Sequence, residues 1–592
     1  MKIDTKSSLS FLKYFLKPFY WPLFLGAVVM LVTDICQLMV PKIITSATEH
    51  FRGLFNDKKA VEDLHWDYVW IYLVVVTVLF LTRHQWRIFT VGSARKMGAS
   101  MKEAFFSHLT ALSQKEIDEM KAGDLMSRVT SDINAVQRMV AFAFVVALDC
   151  AIHVGAILPI LYFLNKKLFV LVLIPLVIGV VIFQIVRKKL FAATKVYQGM
   201  TADLAGMAEE SFSGISVIKS FGTEEAVEKK FNKQSKGMVS QKVRMVLWES
   251  FLAPLANLLI AVCLFLVLIK GAPMVLSDQA SLTFESLFEF VLYVCLLEWP
   301  IRAVGMVVGM IQKGMVSLER LREIFAIDPQ QLLESNGGKE AVTLTIKGHF
   351  EFKHLNFYYK EHQVLHDITV DIPAGSKVGV IGKVGSGKSS LMSLIPCLYA
   401  PEPGQLFVDG KDVREYGLES LRQVMGCVTQ ESLLFSETIK NNVLFGKDEE
   451  GDDEQVKEWL ASCQVLDDIE ALPEKLDSFL GERGVNLSGG QKQRVTLARA
   501  LAVEATIYVF DDCFSALDSH TEKKLLQAIF RICEGHTTFI ASHRMSTIQN
   551  CDMLLVLDRG RLVDKGTPAE LSQRPEGYYA RMVARQKSEI VS

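Results

Sequence analysis

The chain has 592 residues, of which half are hydrophobic, and a formal net charge of only −2. This length exceeds what one compact domain usually contains, so we expect two or more domains. The near-neutral charge gives no support for nucleic acid as a partner. The ten cysteines do not show the spacing of a metal site or predict disulfides. Long apolar runs are confined to residues 19–312, and residues 345–585 have the mixed composition of a soluble domain.

Six segments are long and apolar enough to cross a bilayer, which takes about 20 mostly apolar residues. They lie at about 19–43, 67–90, 139–164, 168–187, 246–270 and 284–311, which predicts a transmembrane domain over residues 1–325. The N-terminal tail and the stretches 91–138 and 188–245 are rich in Lys and Arg, whereas 271–283 contains neither. The positive-inside rule therefore predicts a multi-pass protein of the cell (inner or plasma) membrane with both termini in the cytoplasm.

The two long basic stretches have helical periodicity with charged faces, so we expect them to extend the membrane helices into the cytoplasm. Each is interrupted at a turn-like point, Lys121–Asp124 in the first and Ser211–Ser216 in the second. These breaks suit short helices that cross the helix axis, although ordinary helix–helix turns would explain the same residues.

Seven ionisable residues lie inside or at the ends of the apolar runs, where they are costly and default to functional candidates. They are Asp34, Asp149, His153, Glu249, Glu289, Glu298 and Arg302. Glu298 and Arg302 are four residues apart and could simply form an ion pair with one another. The acidic excess of this set would suit cationic amphipathic compounds.

Residues 326–345 contain Pro329 and two glycines and predict a polar linker, and residues 346–585 then alternate strand and helix signals. This alternation is typical of an α/β nucleotide-binding fold. The predicted fold class is therefore an α-helical membrane domain, with six transmembrane helices and long cytosolic extensions, fused to an α/β P-loop domain.

A glycine-rich loop follows the apolar run 378–381 and has the full pattern of a phosphate-binding loop. Its glycines let successive N–H groups point at phosphate oxygens. Lys388 would reach the β- and γ-phosphates, and the Ser389 hydroxyl would hold Mg²⁺. We expect the nucleotide to contact Gly382, Lys383, Val384, Gly385, Ser386, Gly387, Lys388, Ser389 and Ser390.

A second apolar run, at 507–510, ends in Asp511 and Asp512. P-loop enzymes hold the Mg²⁺ shell with an acid at the end of a buried strand, so Asp511 is a predicted metal ligand. Between the two motifs, a Leu-Ser-Gly-Gly-Gln segment at 487–491 opens a helix and makes a second anion-binding terminus. Two phosphate-binding segments so far apart in sequence favour sites assembled between two chains.

The Leu-Ser-Gly-Gly-Gln segment, with its flanking loops, resembles the signature of an ATP-binding cassette (ABC) domain. Its fusion behind six spans resembles half-transporter exporters of the multidrug and lipid-flippase type, over about residues 8–585. The resemblance implies ATP and Mg²⁺ as cofactors, ATP hydrolysis coupled to transport, a second half-transporter as partner, and an amphipathic small molecule moved through a lipid bilayer. It also implies that the signature, Ser488, Gly489, Gly490 and Gln491, binds an ATP held by the partner chain.

Further positions of the family pattern match this sequence. The resemblance implies that Tyr359 stacks on adenine, with an ordinary core aromatic as the alternative, and that Gln430 contacts Mg²⁺. His543 would contact the γ-phosphate. The segment 481–484 resembles a loop that contacts the cytosolic membrane helices, and 515–518 resembles the loop that links two cassettes.

The sequence departs from the family pattern at Asp512, where a glutamate normally acts as the general base. Aspartate is one methylene shorter, and a misplacement of about 1 Å can cost roughly 100-fold in rate. We therefore expect Asp512, His543 and Gln430 to form a catalytic set that hydrolyses ATP slowly. An intact signature beside a weakened base favours a heterodimer, with a slow homodimer, such as a lipid flippase, as the alternative. An importer on the same scaffold, for example for siderophores, and an ATP-gated channel are the alternative functions.

Overall fold

A computed structural model describes residues 7–56, 66–276, 282–327, 346–447, 451–481, 484, 486–574 and 577–591. The chain divides into two compact units. The first comprises Met1–Thr110 and Lys121–Asp328, and the second comprises Ala111–Met120 and Pro329–Ser592. Most of the predicted linker, 328–345, lies outside the described residues, so the predicted domain boundaries stay predictions.

In the part of the chain that the structure describes, six helices are long and apolar enough to cross a membrane. They are Ser8–Arg52, Asp67–Ala111, Ala122–Leu164, Lys166–Ser213, Glu224–Leu276 and Phe284–Phe325. Each predicted span lies inside one of these helices, in the same order. The helices also run far beyond the apolar segments, as the charged periodic stretches predicted.

The helices in the N-terminal part of the chain are α1 (Ser8–Leu16), α2 (Tyr20–Asn56), α3 (Asp67–Ala111), α4 (Gln114–Asp118), α5 (Ala122–Ser127), α6 (Ile133–Arg138), α7 (Phe144–Leu164), α8 (Lys166–Ser213), α9 (Ile215–Phe221), α10 (Glu224–Leu276), α11 (Phe284–Leu296) and α12 (Glu298–Phe325). Of these, α4 belongs to the second unit. Two π-helical turns, Arg128–Asp132 and Met139–Ala143, connect α5, α6 and α7 into one continuous helix. Asn165 alone separates α7 from α8, and its side chain accepts hydrogen bonds from the first amides of α8.

Both predicted breaks in the cytosolic extensions are present. At the first break, the short helix α4 precedes Lys121. Ser113 caps the start of α4 through a reciprocal pair of hydrogen bonds with Glu116. Lys121 has extended backbone angles and precedes α5. At the second break, Gly214 ends α8 and the short helix α9 begins directly after it.

The membrane unit exposes large apolar side chains along its helices, as Trp70, Phe80 and Val177 illustrate. A bilayer is the solvent in which such surfaces are stable. Where helices meet, small residues allow close approach. On α8, for example, a Cβ at Gly179 would collide with the side chain of Leu259 on α10.

The strands of the C-terminal unit are β1 (Phe350–Tyr359), β2 (His362–Ile372), β3 (Lys377–Gly382), β4 (Leu406–Val408), β5 (Lys411–Asp412), β6 (Met425–Val428), β7 (Ile507–Asp511), β8 (Thr537–Ala541), β9 (Met553–Asp558) and β10 (Arg561–Gly566). They form an antiparallel sheet in the order β2-β1-β4-β5 and a second sheet in the order β10-β9-β3-β8-β7-β6. In the second sheet, β9, β3, β8, β7 and β6 run parallel.

The helices of this unit are α13 (Lys388–Leu394), α14 (Leu418–Gln423), α15 (Ile439–Val443), α16 (Asp453–Ser462), α17 (Leu466–Glu470), α18 (Gly489–Ala502), α19 (Ser519–Ile532), α20 (Met545–Ile548), α21 (Pro568–Ser572) and α22 (Tyr578–Val591). The parallel sheet is buried on both faces. Ile507 and Val509 of β7 pack in one core, and the alternate residues Tyr508 and Phe510 pack in the other. The predicted fold class is confirmed in both halves.

This topology positions the predicted site residues. Because β3, β6, β7 and β8 are parallel, their carboxyl ends lie along one edge of the sheet. In open α/β sheets, ligands bind at that edge. The phosphate-binding loop follows β3, Gln430 follows β6, Asp511 ends β7 and His543 follows β8.

Candidate nucleotide-binding site

The phosphate-binding loop has the backbone geometry that its glycines predicted. Gly385 and Gly387 have φ angles of +77° and +98°, a left-handed region that side chains rarely enter. A hydrogen bond of 3.1 Å from the Ser386 amide to the Lys383 carbonyl closes the turn, and Gly560 N–H donates to the Ser386 carbonyl at 3.0 Å. The loop is therefore a fixed turn between β3 and α13.

Lys388 lies inside this loop. Its Nζ donates hydrogen bonds of 3.0 Å to the carbonyls of Gly382 and Lys383, and the residue is only 8% exposed. Burial lowers the pKa of Lys388, and the nearby carboxylates Asp511 and Asp512 oppose that shift. The ammonium thus sits where it can meet phosphate oxygens, close to both acids.

Asp511 and Ser389, the two predicted Mg²⁺ ligands from separate motifs, are brought together. Ser389 and Asp511 line the same cavity, and the Ser389 hydroxyl is close enough to the Asp511 carboxylate to affect its pKa. Burial raises the pKa of Asp511, while the Ser389 hydroxyl and the Lys388 charge oppose the rise. Two hard oxygen donors at one point, beside a phosphate-binding loop, fit the preference of Mg²⁺.

His543 shares this electrostatic environment. Burial lowers the pKa of the imidazole, and the Lys388 ammonium lowers it further, while Asp512 and Asp511 act in the opposite direction. Gln430 is exposed at the same sheet edge, two residues beyond the end of β6. All the predicted catalytic residues therefore lie along the carboxyl edge of the sheet.

Asp512 has an unusual backbone conformation. Its φ angle is +46°, in the left-handed region, which Asp tolerates better than most residues. Its amide donates to the Ala541 carbonyl at 3.0 Å, and its own carbonyl accepts from the Ser515 hydroxyl at 3.1 Å. Backbone contacts on both sides therefore fix where the Asp512 side chain begins.

The Ser488–Gln491 segment forms the first turn of α18. Ser488 is the N-cap residue, and its side chain and that of Gln491 satisfy one another's backbone amides at 3.3 Å and 2.9 Å. Gly489 and Gly490 expose the positive end of a helix of 14 residues. This end is suited to an anion.

The segment 515–518 follows Asp512 and connects several parts of the site. The Gln493 side chain, on α18, donates to the Ser515 hydroxyl and accepts from the Ala516 amide, at 3.2 Å and 3.1 Å. Arg544, the residue after His543, donates to the carbonyls of Ser515 and Leu517 at 2.8 Å and 3.0 Å. Neither Gln493 nor Arg544 was among the predicted site residues. Their proximity to 515–517 is tertiary and left no local signal.

Glu522 fixes Arg544 in this arrangement. It is 3% exposed, forms an ion pair with Arg544, and accepts hydrogen bonds from the Ser546 and Thr547 hydroxyls. Asp518 caps the helix that carries Glu522 by accepting from the amides of His520 and Thr521. The linking segment is therefore held at both ends.

Tyr359 lies at the end of β1 and is 39% exposed, packed edge-on against Phe357 and Tyr399. Its exposure suits a role in stacking better than the core packing that we held as the alternative. Tyr399 also hydrogen-bonds to Asp118 of the short helix α4, which belongs to the same unit. Burial and this carboxylate raise the pKa of Tyr399.

Three of the intramembrane candidates lie together: Asp34, Asp149 and His153 offer donor atoms within 4.8 Å of one another. Glu298 and Arg302 form the expected ion pair, at 2.7 Å. Glu249 is exposed on α10, and Glu289 is half-buried on α11. In the segment 481–484, Glu482 and Arg483 lie outside the described residues.

Comparisons with known proteins show the family to which the chain belongs. The family model for the ABC transporter transmembrane region matches residues 23–301, and the model for the ABC transporter matches residues 365–515. A probable multidrug resistance ABC transporter ATP-binding/permease protein of Bacillus subtilis is 29% identical over 98% of both chains. An ATP-dependent lipid A-core flippase of Pseudomonas fluorescens is 34% identical over 82% of this chain and 79% of its own length.

A solved structure shows the same fold. A bacterial Atm1-family ABC exporter with ATP bound matches with a TM-score of 0.77 and 24% identity, over 96% of this chain and 98% of the other. The family models cover the membrane helices and the nucleotide-binding region, and a relative above 30% identity spans most of the chain. The protein is a multi-pass membrane ATPase that belongs to the ABC transporter family.

Proposed function

We propose that the chain is a half-transporter that exports amphipathic compounds, drugs or lipids, out of the cytoplasm or the inner leaflet. Alternating access would be driven by ATP binding and hydrolysis where two cassettes meet. The named activities of the relatives, multidrug resistance transport and lipid A-core flipping, support an amphipathic substrate. The basic cytosolic stretches support an orientation with both termini in the cytoplasm.

The same proposal assigns roles at the nucleotide site. Amides of the 382–390 loop and Lys388 would hold the phosphates, and Tyr359 would stack on the adenine. Ser389, Asp511 and Gln430 would hold Mg²⁺, which neutralises charge on the phosphate oxygens when bound. The proximity of Ser389 and Asp511, which line the same cavity, supports this ligand set.

The chain's own site would hydrolyse slowly, and the active assembly would be a heterodimer. One observation carries this proposal: Asp512 stands where the family has glutamate, while the capped turn Ser488–Gln491 is complete. Asp512 and His543 would act on the chain's own ATP at a low rate. The intact signature would complete a faster site on the partner.

The ATPase rate of the purified full-length chain, alone and with a co-expressed second half-transporter, tests the proposal. In the complex, Asp512→Asn should change turnover little, and Ser488→Ala should nearly abolish it. Because Ser488 also caps α18, its loss costs about 1 kcal/mol of stability. Ser488→Asn retains a capping side chain and controls for that effect.

Two results would contradict the proposal. Rapid, transport-coupled hydrolysis by the chain alone would indicate a homodimer. A larger loss of turnover with Asp512→Asn than with Ser488→Ala would mean that the chain's own site is the fast one.

A further inference from the structure

Three ionisable side chains meet inside the membrane helices, far from the nucleotide motifs in sequence. Asp34 lies on α2, and Asp149 and His153 lie one turn apart on α7. The imidazole Nδ1 of His153 is 3.2 Å from a carboxylate oxygen of Asp149 and 3.0 Å from the Asp149 carbonyl. We call Asp34, Asp149 and His153 the intramembrane cluster.

The cluster is buried, and its hydrogen bonding is incomplete. Asp34 is 3% exposed and His153 is 2% exposed. Among the described residues, no hydrogen-bond donor reaches Asp34 Oδ2, and His153 Nε2 has no partner. A buried polar atom without a partner costs about 1–3 kcal/mol, so these atoms indicate a ligand that the side chains alone do not supply.

A proton is the ligand that the geometry fits. Asp34 and Asp149 have carboxylate oxygens within 4.8 Å of one another. Two ionised carboxylates are acceptors only and cannot satisfy one another, whereas a proton on one of them supplies the missing donor. Like charges this close cannot both persist in a buried site.

The surrounding charges indicate how many protons the cluster holds. The Arg83 guanidinium, on α3, attracts the Asp34 carboxylate electrostatically, and the Cys150 thiol lies near both carboxylates. On α12, Glu298 and Arg302 neutralise one another, and on α11, Glu289 is next to Lys42. His153 Nδ1 faces two oxygens of Asp149 and so carries the N–H, and with no proton on Nε2 the imidazole is neutral. The two carboxylates and the Arg83 guanidinium then sum to one negative charge, which one proton on the cluster neutralises.

One side of the cluster reaches an exposed surface. The Asp149 side chain is 15% exposed, and its Oδ2 accepts a hydrogen bond of 2.6 Å from the Trp299 indole. Trp299 is 48% exposed on α12. A carboxylate beside an exposed indole suits an aromatic or amphipathic cation, through charge and cation–π attraction.

We propose that the intramembrane cluster holds one proton and that a cationic amphipathic substrate displaces it when it binds at Asp149 and Trp299. This rests on the proposed export function and specifies its substrate as cationic. No covalent bond forms or breaks except that to the proton. The carboxyl O–H bond breaks, the proton passes to water, and the arriving cation replaces its positive charge.

Proton release on binding tests this directly. The full-length chain in detergent, without nucleotide and in weakly buffered solution, is mixed with tetraphenylphosphonium while a dye reports pH. We expect release of about one proton per bound cation, and an apparent affinity that rises about tenfold per pH unit while the site is protonated. The infrared carbonyl stretch of a protonated carboxyl group should be present before addition and lost after it.

Variants separate the members of the cluster. Asp34→Asn should keep cation binding but abolish proton release and the pH dependence, because Asp149 then stays ionised. Asp149→Asn should weaken cation binding about tenfold or more. Glu49→Gln, which removes an exposed carboxylate from the same helix α2, should leave both measurements unchanged.

Several results would overturn the inference: no binding of tetraphenylphosphonium, binding without proton release, or release that persists in Asp34→Asn. Stoichiometric Zn²⁺ binding that needs all three side chains would also overturn it, in favour of a metal site. The unmodified protein supplies the pH dependence and the infrared band, so a variant that fails to fold leaves the test intact. The proton-release experiment contains no ATP, so a negative result in it leaves the ATPase predictions standing. A negative result in the ATPase experiments likewise leaves the prediction of proton release standing.

Discussion

Replacing Asp512 by Glu tests whether the length of this side chain limits hydrolysis at the chain's own site. The substitution adds one methylene and extends the carboxylate by about 1 Å, the misplacement that can cost roughly 100-fold in rate. If the length of the side chain alone limits the rate, hydrolysis should become up to about 100-fold faster, which corresponds to about 2.7 kcal/mol in activation free energy.

The backbone sets a cost against this gain. Asp512 has a φ angle of +46°. Glu lacks the local hydrogen bonding that lets Asp adopt this conformation, so the substitution should lower the free energy of unfolding by about 1 kcal/mol. The hydrogen bond that the residue 512 amide donates to the Ala541 carbonyl does not involve the side chain and should be retained. We therefore expect a melting temperature lower by a few degrees, together with a faster enzyme.

Initial ATPase rates at saturating Mg²⁺ and ATP provide the assay, with a melting curve on the same sample. Lys388→Ala in the same chain is the matched control, because it should remove the gained activity if that activity arises at this chain's phosphate loop. A folded Asp512→Glu protein with an unchanged rate would refute the reasoning, since reach would then not be what limits hydrolysis.

Two further substitutions test the geometry of the site. Asp511→Asn should abolish Mg²⁺-dependent ATP hydrolysis yet raise the melting temperature at neutral pH. Burial raises the pKa of Asp511, so its ionised form costs stability above that pKa, and the gain should vanish as the pH falls below the ordinary pKa of about 4. Glu522→Ala should cost about 2 kcal/mol of stability and lower ATP turnover, because it leaves Arg544 unpaired beside the 515–517 segment. Glu522→Gln keeps the acceptor for Ser546 and should lose less; equal losses in melting temperature would contradict this account.

Motifs whose chemistry is local could be predicted from sequence. Gly385, Gly387 and Lys388 lie where the loop pattern requires, since a turn with left-handed positions needs glycine whatever surrounds it. The membrane helices were equally predictable, because the length of an apolar run alone decides whether it can span a bilayer.

Some local signals were present but not used. Ser113 and Glu116 have the spacing of a reciprocal cap and mark the start of α4, which was not predicted from the sequence. Ser488 and Gln491 have the same spacing. In both cases the signal is a pair of side chains three residues apart, followed by a helix.

Contacts between distant segments could not be predicted. Asp149 and His153 are four residues apart, a spacing that predicts neighbours on a helix, but Asp34 lies beside them on another helix. Arg544 likewise meets Ser515 across 29 residues. Such pairs depend on how helices and strands pack, and a single sequence carries no pattern for them.

The segment 515–518 gives a physical reason why a slow site would still matter. It begins three residues after Asp512, and the same few residues are hydrogen-bonded to Gln493 of the signature helix and to Arg544 beside His543. A movement of Asp512 or His543 when nucleotide binds would therefore reach α18 through hydrogen bonds of about 3 Å rather than through loose loops. Under the proposed assembly, ATP held at this chain's own site would position the signature that the partner's site requires. Retention of the nucleotide, rather than its rapid hydrolysis, would then be what this half of the dimer contributes.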